Sequence, residues 1–315
     1  MSIVMLINLK GGVAKTTSAV AIAECLASEG YRTLLIDADH QCTSSELLLG
    51  EDRQLKCERT KRNLHDLLAA MLDAEFIPDQ FESFVTRKAS NIDGGLAKLA
   101  VLSCSIRIDD FSTNMAKARR GYSSTDEFLR VLANRRKQLR KWAETNFDFT
   151  VIDCPPSLAI QVRFLLSVAD SFIVPSIPDR LSLRGSLYLA DRIKSYGYKI
   201  HGLGTLWTLY REQNAMHKRI VEMAAKGSEQ LAKLPRPFKT IIPNATKIGE
   251  ASENAKQPRT FRMKYTLEFA KLFEELCLEV VQRSEWQRQH QSAQQPELVE
   301  VTAAEPSVAP DPGGA

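Results

Sequence analysis

The apolar positions of the chain fall into short continuous runs and longer helix-spaced stretches, and the two alternate. Residues 3–9 (IVMLINL) make a near-continuous apolar run, the pattern of a strand covered on both faces of a parallel sheet. A glycine-containing loop follows, then residues 17–30 (TSAVAIAECLASEG), whose helix-forming residues stop at Gly30, a C-terminal cap. Residues 33–39 (TLLIDAD) form a second buried strand that ends in two aspartates. Helix spacing returns at 63–72, residues 96–104 hold a third strand, and a long basic amphipathic helix at 125–146 leads into a strand at 147–156 (FDFTVIDCPP). A helix near 160–169, a strand at 171–176, a helix near 181–196 and a strand at 201–209 come next. A helix at 214–233, a short strand at 238–243 and a final amphipathic helix at 264–288 complete the pattern.

This alternation predicts one α/β domain over residues 1–288, built on a doubly wound, mostly parallel sheet. Two stretches stand outside it. Residues 51–62 (EDRQLKCERTKR) read as an exposed loop. Residues 289–315 are acidic, rich in Pro and Ala, and without apolar periodicity, which predicts a disordered tail.

Composition narrows the function classes. Of 315 residues, 44% are hydrophobic and 25% charged, ordinary for a globular protein, and no apolar run approaches the length of a membrane span. Six cysteines without a CxxC pair and five unclustered histidines argue against a disulfide framework or a metal centre built from side chains alone. The thiols read as reduced, cytosolic packing residues. The net charge of +4 is unevenly spread: residues 180–271 hold eighteen Lys and Arg against seven Asp and Glu. Such clustering is the electrostatic footprint of polyanion binding.

The chemistry concentrates at residues 8–17, NLKGGVAKTT. A buried strand, a glycine loop and Lys-Thr opening a helix make a phosphate-binding loop, in which backbone N–H groups and the helix dipole cradle phosphates. Lys15 neutralises the β/γ oxygens and the Thr16 hydroxyl is placed to ligate Mg²⁺. KGGVAKTT further resembles the deviant Walker A motif, KGGxGK[ST][TS], of the ParA/MinD family of ATPases. LLIDADHQ (34–41), VIDCPPS (151–157) and KIGEA (247–251) are similar to that family's later segments, so the resemblance spans roughly residues 1–285. With no DNA-binding domain ahead of the loop, the chain looks most like the short, chromosomal-type ParA proteins.

The resemblance implies a P-loop topology, ATP and Mg²⁺ as cofactors, and a role for each matched residue. Gly11, Gly12, Val13, Ala14, Lys15, Thr16 and Thr17 would bind the nucleotide, with Thr17 at the α-phosphate. Lys10 matches the signature lysine that crosses a homodimer interface to the partner's ATP. Asp39 matches the switch aspartate that positions the attacking water, and Asp153 the Walker B carboxylate that supports Mg²⁺ through water. Lys10, Lys15 and Asp39 are thus the expected catalytic set, whereas Asp37 shapes the switch region. Two positions depart from the pattern. Ala14 stands where the family has glycine, which slows hydrolysis if a positive φ is required there, and His40 stands where it has proline.

The family also implies non-specific DNA binding by the ATP dimer, for which Arg192, Lys194, Arg211, Lys218 and Arg219 are the candidates. A cargo-bound, ParB-like partner would stimulate hydrolysis on the nucleoid, in the cytoplasm. A second basic region, Lys117, Arg119, Arg120, Arg135, Arg136 and Lys137, reads as the solvated face of a helix. A MinD-like membrane-cycling regulator would need a basic amphipathic C-terminus, and the acidic end of this chain predicts no membrane partner. An ATP-dependent scaffold with little hydrolysis is the remaining alternative, resting on Ala14.

Overall fold

In the computed structural model, which describes residues 1–253 and 257–292, the chain opens with β1 (Ser2–Leu6), α1 (Lys15–Ser28) and β2 (Thr33–Asp37). Three short helices follow, α2 (Thr43–Leu49), α3 (Glu51–Arg59) and α4 (Leu64–Ala70), and then β3 (Thr86–Ala89) and β4 (Leu96–Leu102). The middle of the chain comprises α5 (Phe111–Arg119), α6 (Thr125–Asn146), β5 (Phe149–Asp153), α7 (Ile160–Leu166) and β6 (Ser171–Ser176). It ends with α8 (Arg180–Ser195), β7 (His201–Trp207), α9 (Ala215–Ala225), α10 (Thr246–Glu253) and α11 (Phe261–Ser292).

The strands form one sheet in the order β3-β4-β2-β5-β1-β6-β7, and every pairing is parallel except β3 with β4. The doubly wound, mostly parallel architecture is therefore as the sequence predicts. Alternation along β1 sorts the core into two layers. Ile3, Met5 and Ile7 face a cluster with α4 to α8, including Leu67, Phe111, Leu139, Phe164 and Leu189. Val4 and Leu6 face the other side, where α1 and α11 supply Ala19, Ile22, Phe273 and Leu276. The register places Asp153 opposite Leu6 on one side and Asp37 on the other, so two carboxylates end side by side at the loop-bearing edge of the sheet.

A buried polar knot ties the ends of the domain together. Glu24 of α1 accepts from Ser90 Oγ at 2.6 Å, Lys264 Nζ at 2.7 Å and the Tyr265 hydroxyl at 2.8 Å. Immediately beyond it, Thr266 takes φ 61°, ψ 161° and breaks α11 between its first turn and its long remainder.

Several local expectations change. Residues 51–59 are helical rather than a loop: α3 buries only Cys57, and Glu51 and Asp52 in its first turn with Lys56 and Arg59 in its last complement the helix dipole. The helix expected at 214–233 stops at Ala225, with Gly227 at φ 70° turning the chain. Residues 238–243 are no strand. This segment follows β7 through isolated bridges Thr205–Pro237 and Tyr210–Pro243, where proline has no N–H to extend a ladder. α11 runs to Ser292, past the expected start of the tail at 289, and residues 293–315 of that tail lie outside the described residues.

Candidate nucleotide-binding site and basic surface

The loop after β1 is held from both sides. Asn8, fully buried, donates through Nδ2 to Pro175 O (2.7 Å) and Ser186 Oγ (3.0 Å), and its Oδ1 accepts from the Lys10 N–H (3.1 Å). On the far side Thr208 Oγ1 donates to Val13 O at 3.0 Å. Between these anchors Gly12 adopts φ 69° and Ala14 φ 55°, ψ 34°. Glycine accepts such angles freely, whereas an alanine in the left-handed region costs on the order of 1 kcal/mol. The condition under which the sequence makes Ala14 costly is met.

Lys15 opens α1 almost fully buried, and its Nζ donates to Lys10 O at 3.0 Å. Burial lowers its pKa, with the nearby Asp153 opposing the shift. Thr16 and Thr17 are half-buried on the first turn, where helix N–H groups lack intrahelical partners. Residues 11–17 line a cleft of about 500 Å³ together with Asp39, His40, Gln41 and Pro156. Lys10 behaves differently. It is exposed, its ammonium makes no ion pair among the described residues, and a Cβ on Gly185 of α8 would sit 3.7 Å from Lys10 Cβ.

Three aspartates stand at or just beyond the ends of β2 and β5, and of these Asp39 lines the cleft. Asp37 is fully buried and accepts from Ser45 N–H (2.9 Å), Ser45 Oγ (2.6 Å) and the Asp39 N–H (3.1 Å). It organises the backbone that carries Asp39, and burial raises its pKa to about 6 against those hydrogen bonds. Asp39 lies on the cleft wall, its Oδ1 accepting from Gln41 N–H at 3.0 Å with His40 Nδ1 3.7 Å away.

Asp153 is fully buried, and neither carboxylate oxygen has a hydrogen-bond partner. Burial and the charge of Asp37 push it up to about 8, with Thr16 and Lys15 opposing. Two orphaned, buried carboxylate oxygens beside a threonine hydroxyl suit a hard divalent cation, which would give the charged form the partner it lacks. The described residues contain no cluster of three or more His, Cys, Asp or Glu able to hold a metal. Mg²⁺ would therefore take most of its oxygens from phosphate and water, as it usually does.

A family model described as an AAA domain matches residues 1–201. The chain is 24% identical over 278 residues to the sporulation initiation inhibitor protein Soj of Bacillus subtilis, covering 85% of this chain and 96% of that one. It is 27% identical over 280 residues to the chromosome partitioning protein ParA of Caulobacter vibrioides, covering 84% and 88%. The chain belongs to the ParA family of P-loop ATPases. A plasmid partition protein of Borrelia burgdorferi, solved bound to AMPPNP, shares the fold with a TM-score of 0.63 at 18% identity, over 90% of this chain and 98% of that one.

The ParA-type basic residues do not form one compact patch. Arg211 follows the C-terminal end of β7, and Lys218 and Arg219 sit in the first two turns of α9, all toward the loop-bearing edge. Arg192 and Lys194 occupy the last turn of α8, at the opposite edge. Two positions apart in sequence, they point about 200° apart around the helix. Lys194, Lys218 and Arg219 are exposed and make no ion pair among the described residues. Arg211 and Arg192 are held by their own chain. With the Asn244 amide turned so that its oxygen faces the guanidinium, it accepts from Arg211 Nε and Nη2 at 2.8 and 3.0 Å, and Arg192 Nη2 donates to the Tyr196 hydroxyl at 2.7 Å.

In the second basic region Arg135 is buried and donates to the carbonyls of Asp73, Ala74 and Phe76, so it is structural rather than a solvated face residue. No helix among the described residues is long and apolar enough to cross a membrane. The anchors Asn8 and Thr208, and Ser45 as the partner of Asp37, carry no motif signal. Only the closed fold reveals what each one touches.

Proposed function

We propose that this protein is an ATP-driven positioning ATPase in which nucleotide binding builds a homodimer that holds DNA without reading its sequence. The observation that carries the reading is the division of labour between two lysines. Lys15 is buried in its own loop and lines the cleft, while Lys10, one residue before the cleft-lining Gly11, is exposed. A second cation on one triphosphate is most useful if it joins two protomers across the nucleotide.

In the proposed cycle, ATP binds through the backbone of residues 10–17, with Lys15 on the β/γ oxygens and Thr17 near the α-phosphate. Thr16 and Asp153 hold Mg²⁺, which supplies charge neutralisation when bound. Asp39 positions the attacking water, and Lys10 and Lys15 stabilise charge on the transferring phosphoryl group. Lys194, Lys218 and Arg219 contact DNA phosphates, giving affinity that falls steeply with salt. A cargo-bound, ParB-like activator triggers hydrolysis and releases the dimer. A nucleoid-bound cytoplasmic protein follows from that cycle.

The test is DNA binding at two salt concentrations with ATP, ADP or no nucleotide, comparing the parent with Lys10→Ala. ATP-dependent, salt-sensitive binding that the substitution abolishes supports the switch. Binding indifferent to nucleotide and to Lys10 overturns it.

One observation favours a second reading, an ATP-dependent scaffold with little hydrolysis. Ala14 holds φ 55° at the phosphate-facing turn, where its methyl has no counterpart in the family pattern. Turnover that stays low in the presence of DNA and activator would select this reading.

A further inference from the structure

β7 reads HGLGTLW, and its two glycines decide what can lie against it. A Cβ on Gly202 would collide with Pro235, and one on Gly204 with Phe238 and an Arg283 nitrogen. Glycine thus lets the segment that follows α9, and a side chain of α11, close onto the strand. At Trp207 the close approach ends. A cavity of about 490 Å³ opens there between α9, residues 236–241 and α11, walled by Trp207, Ala224, Phe238 and Ile241. A smaller one of about 190 Å³ shares Trp207, Ala224, Arg236 and Pro237 with it.

The charge around the larger cavity is uneven. Arg236, Lys239 and Arg283 line it against a single carboxylate, Glu279. That carboxylate is already committed: it accepts from the N–H groups of Lys239 and Thr240, each at 2.9 Å, and from Thr240 Oγ1 at 2.8 Å. Arg283 is committed as well, with its guanidinium 4.1 Å from the centre of the Phe238 ring and donating to the carbonyls of Leu203, Arg236 and Pro237. Arg236 and Lys239 remain. Both are exposed and make no ion pair among the described residues.

We propose that this cavity binds a small organic anion with a compact apolar body, the body against Trp207, Phe238 and Ile241 and the anionic group at Arg236 and Lys239. The volume, and an apolar wall with few charged groups, are those of a ligand pocket. No lining residue belongs to the nucleotide cleft, so the site stands apart from the nucleotide chemistry of the proposed function. A bare inorganic anion would leave the apolar walls uncovered, and a phosphate of a DNA backbone brings no apolar body into the cavity. The bonds of Glu279 and Arg283 fix residues 236–240 in advance, so little of the binding energy is spent on ordering the wall.

The experiment titrates the full chain with anilinonaphthalene sulfonate, an anion on an apolar ring body, and with phenylnaphthylamine, the same body uncharged. The sulfonate is expected to saturate a single site and to bind about tenfold tighter than the uncharged probe. Arg236→Gln combined with Lys239→Gln is expected to weaken the sulfonate about tenfold and to leave the uncharged probe within about twofold. Ala224→Leu, which lengthens a side chain on the wall that both cavities share, is expected to abolish binding of both probes, with circular dichroism and thermal unfolding as the check on its fold. Trp207→Phe keeps an aromatic wall and should remove most of the tryptophan-excited probe emission, which places the probe here rather than beside Trp142 or Trp286. Sulfonate binding that is unchanged by Ala224→Leu or by the paired glutamines overturns the site, as does a parent chain that binds neither probe. Competitive displacement of the sulfonate by duplex DNA would also overturn it, because the two cations would then belong to a polymer-binding surface.

Discussion

The carboxylate of Glu24 and the ammonium of Lys264 meet at 2.7 Å in the interior, although 240 residues separate them in sequence. Both side chains are essentially without solvent contact, and Ser90 and Tyr265 complete the coordination of the carboxylate. The pair fastens the helix that begins at the phosphate loop to the first turn of the C-terminal helix. Glu24→Ala strands a buried ammonium and is expected to cost about 3–5 kcal/mol. Lys264→Met leaves the carboxylate with its two hydroxyl donors and should cost less. Urea unfolding of both variants measures the order.

Asp39 is expected to act on turnover and not on assembly. Asp39→Ala should still form an ATP-dependent dimer and hold DNA, with activator-stimulated turnover reduced about 100-fold or more. Parental turnover in the variant would remove Asp39 from the chemistry.

Ala14→Gly relaxes a left-handed backbone position. It is expected to raise stability by about 0.5–1 kcal/mol, the relief of strain outweighing the added chain entropy. Faster ATP hydrolysis should accompany it. A variant with unchanged turnover would mean that the alanine methyl does not limit hydrolysis.

Arg107 joins three elements, pairing with Glu58 at 2.9 Å and Asp66 at 2.7 Å. Burial opposes it, but the hydrogen bonds and charge of Arg107, with the hydrogen bond from Asn63, hold the Asp66 carboxyl below the usual range. A depressed carboxylate stabilises the fold above its unfolded pKa and loses that contribution as pH falls through its folded value. Arg107→Ala should therefore cost about 1 kcal/mol near neutrality, because the pair is partly solvated, and almost nothing at strongly acidic pH. Stability of both proteins across pH 2–7 tests the convergence.

What the sequence displays clearly is what adjacent residues encode. The helix at 125–146 was legible to its ends because Ser124 caps it, accepting from the Glu127 N–H, and because Phe128, Leu132, Leu139 and Ala143 keep helix spacing on one face, with Arg135 among them. The strand at 171–176 was equally plain, a buried run with every residue covered. α3 was not, since its nine residues are mostly charged and only Cys57 reaches the core. β3, a short edge strand reading TRKA, offers no alternation to detect. At the site, the loop and its lysines form one contiguous motif. Asn8 and Thr208 act through bonds that span 167 to 195 residues, and such pairings are decided only when the sheet closes. The same holds for Arg163 and Tyr196, brought together from α7 and the end of α8.

The two margins of the sheet have a consequence for crowding. On one side β3 runs against the grain of the other strands and carries Arg87 and Lys88 outward. On the other, the segment from Pro235 to Pro243 lies along β7 and offers three prolines in place of backbone donors. Neither margin presents a long, regular row of free amides onto which a second sheet could grow. Copies crowded together can therefore lie side by side without their sheets joining edge to edge, and contacts between them are left to other surfaces.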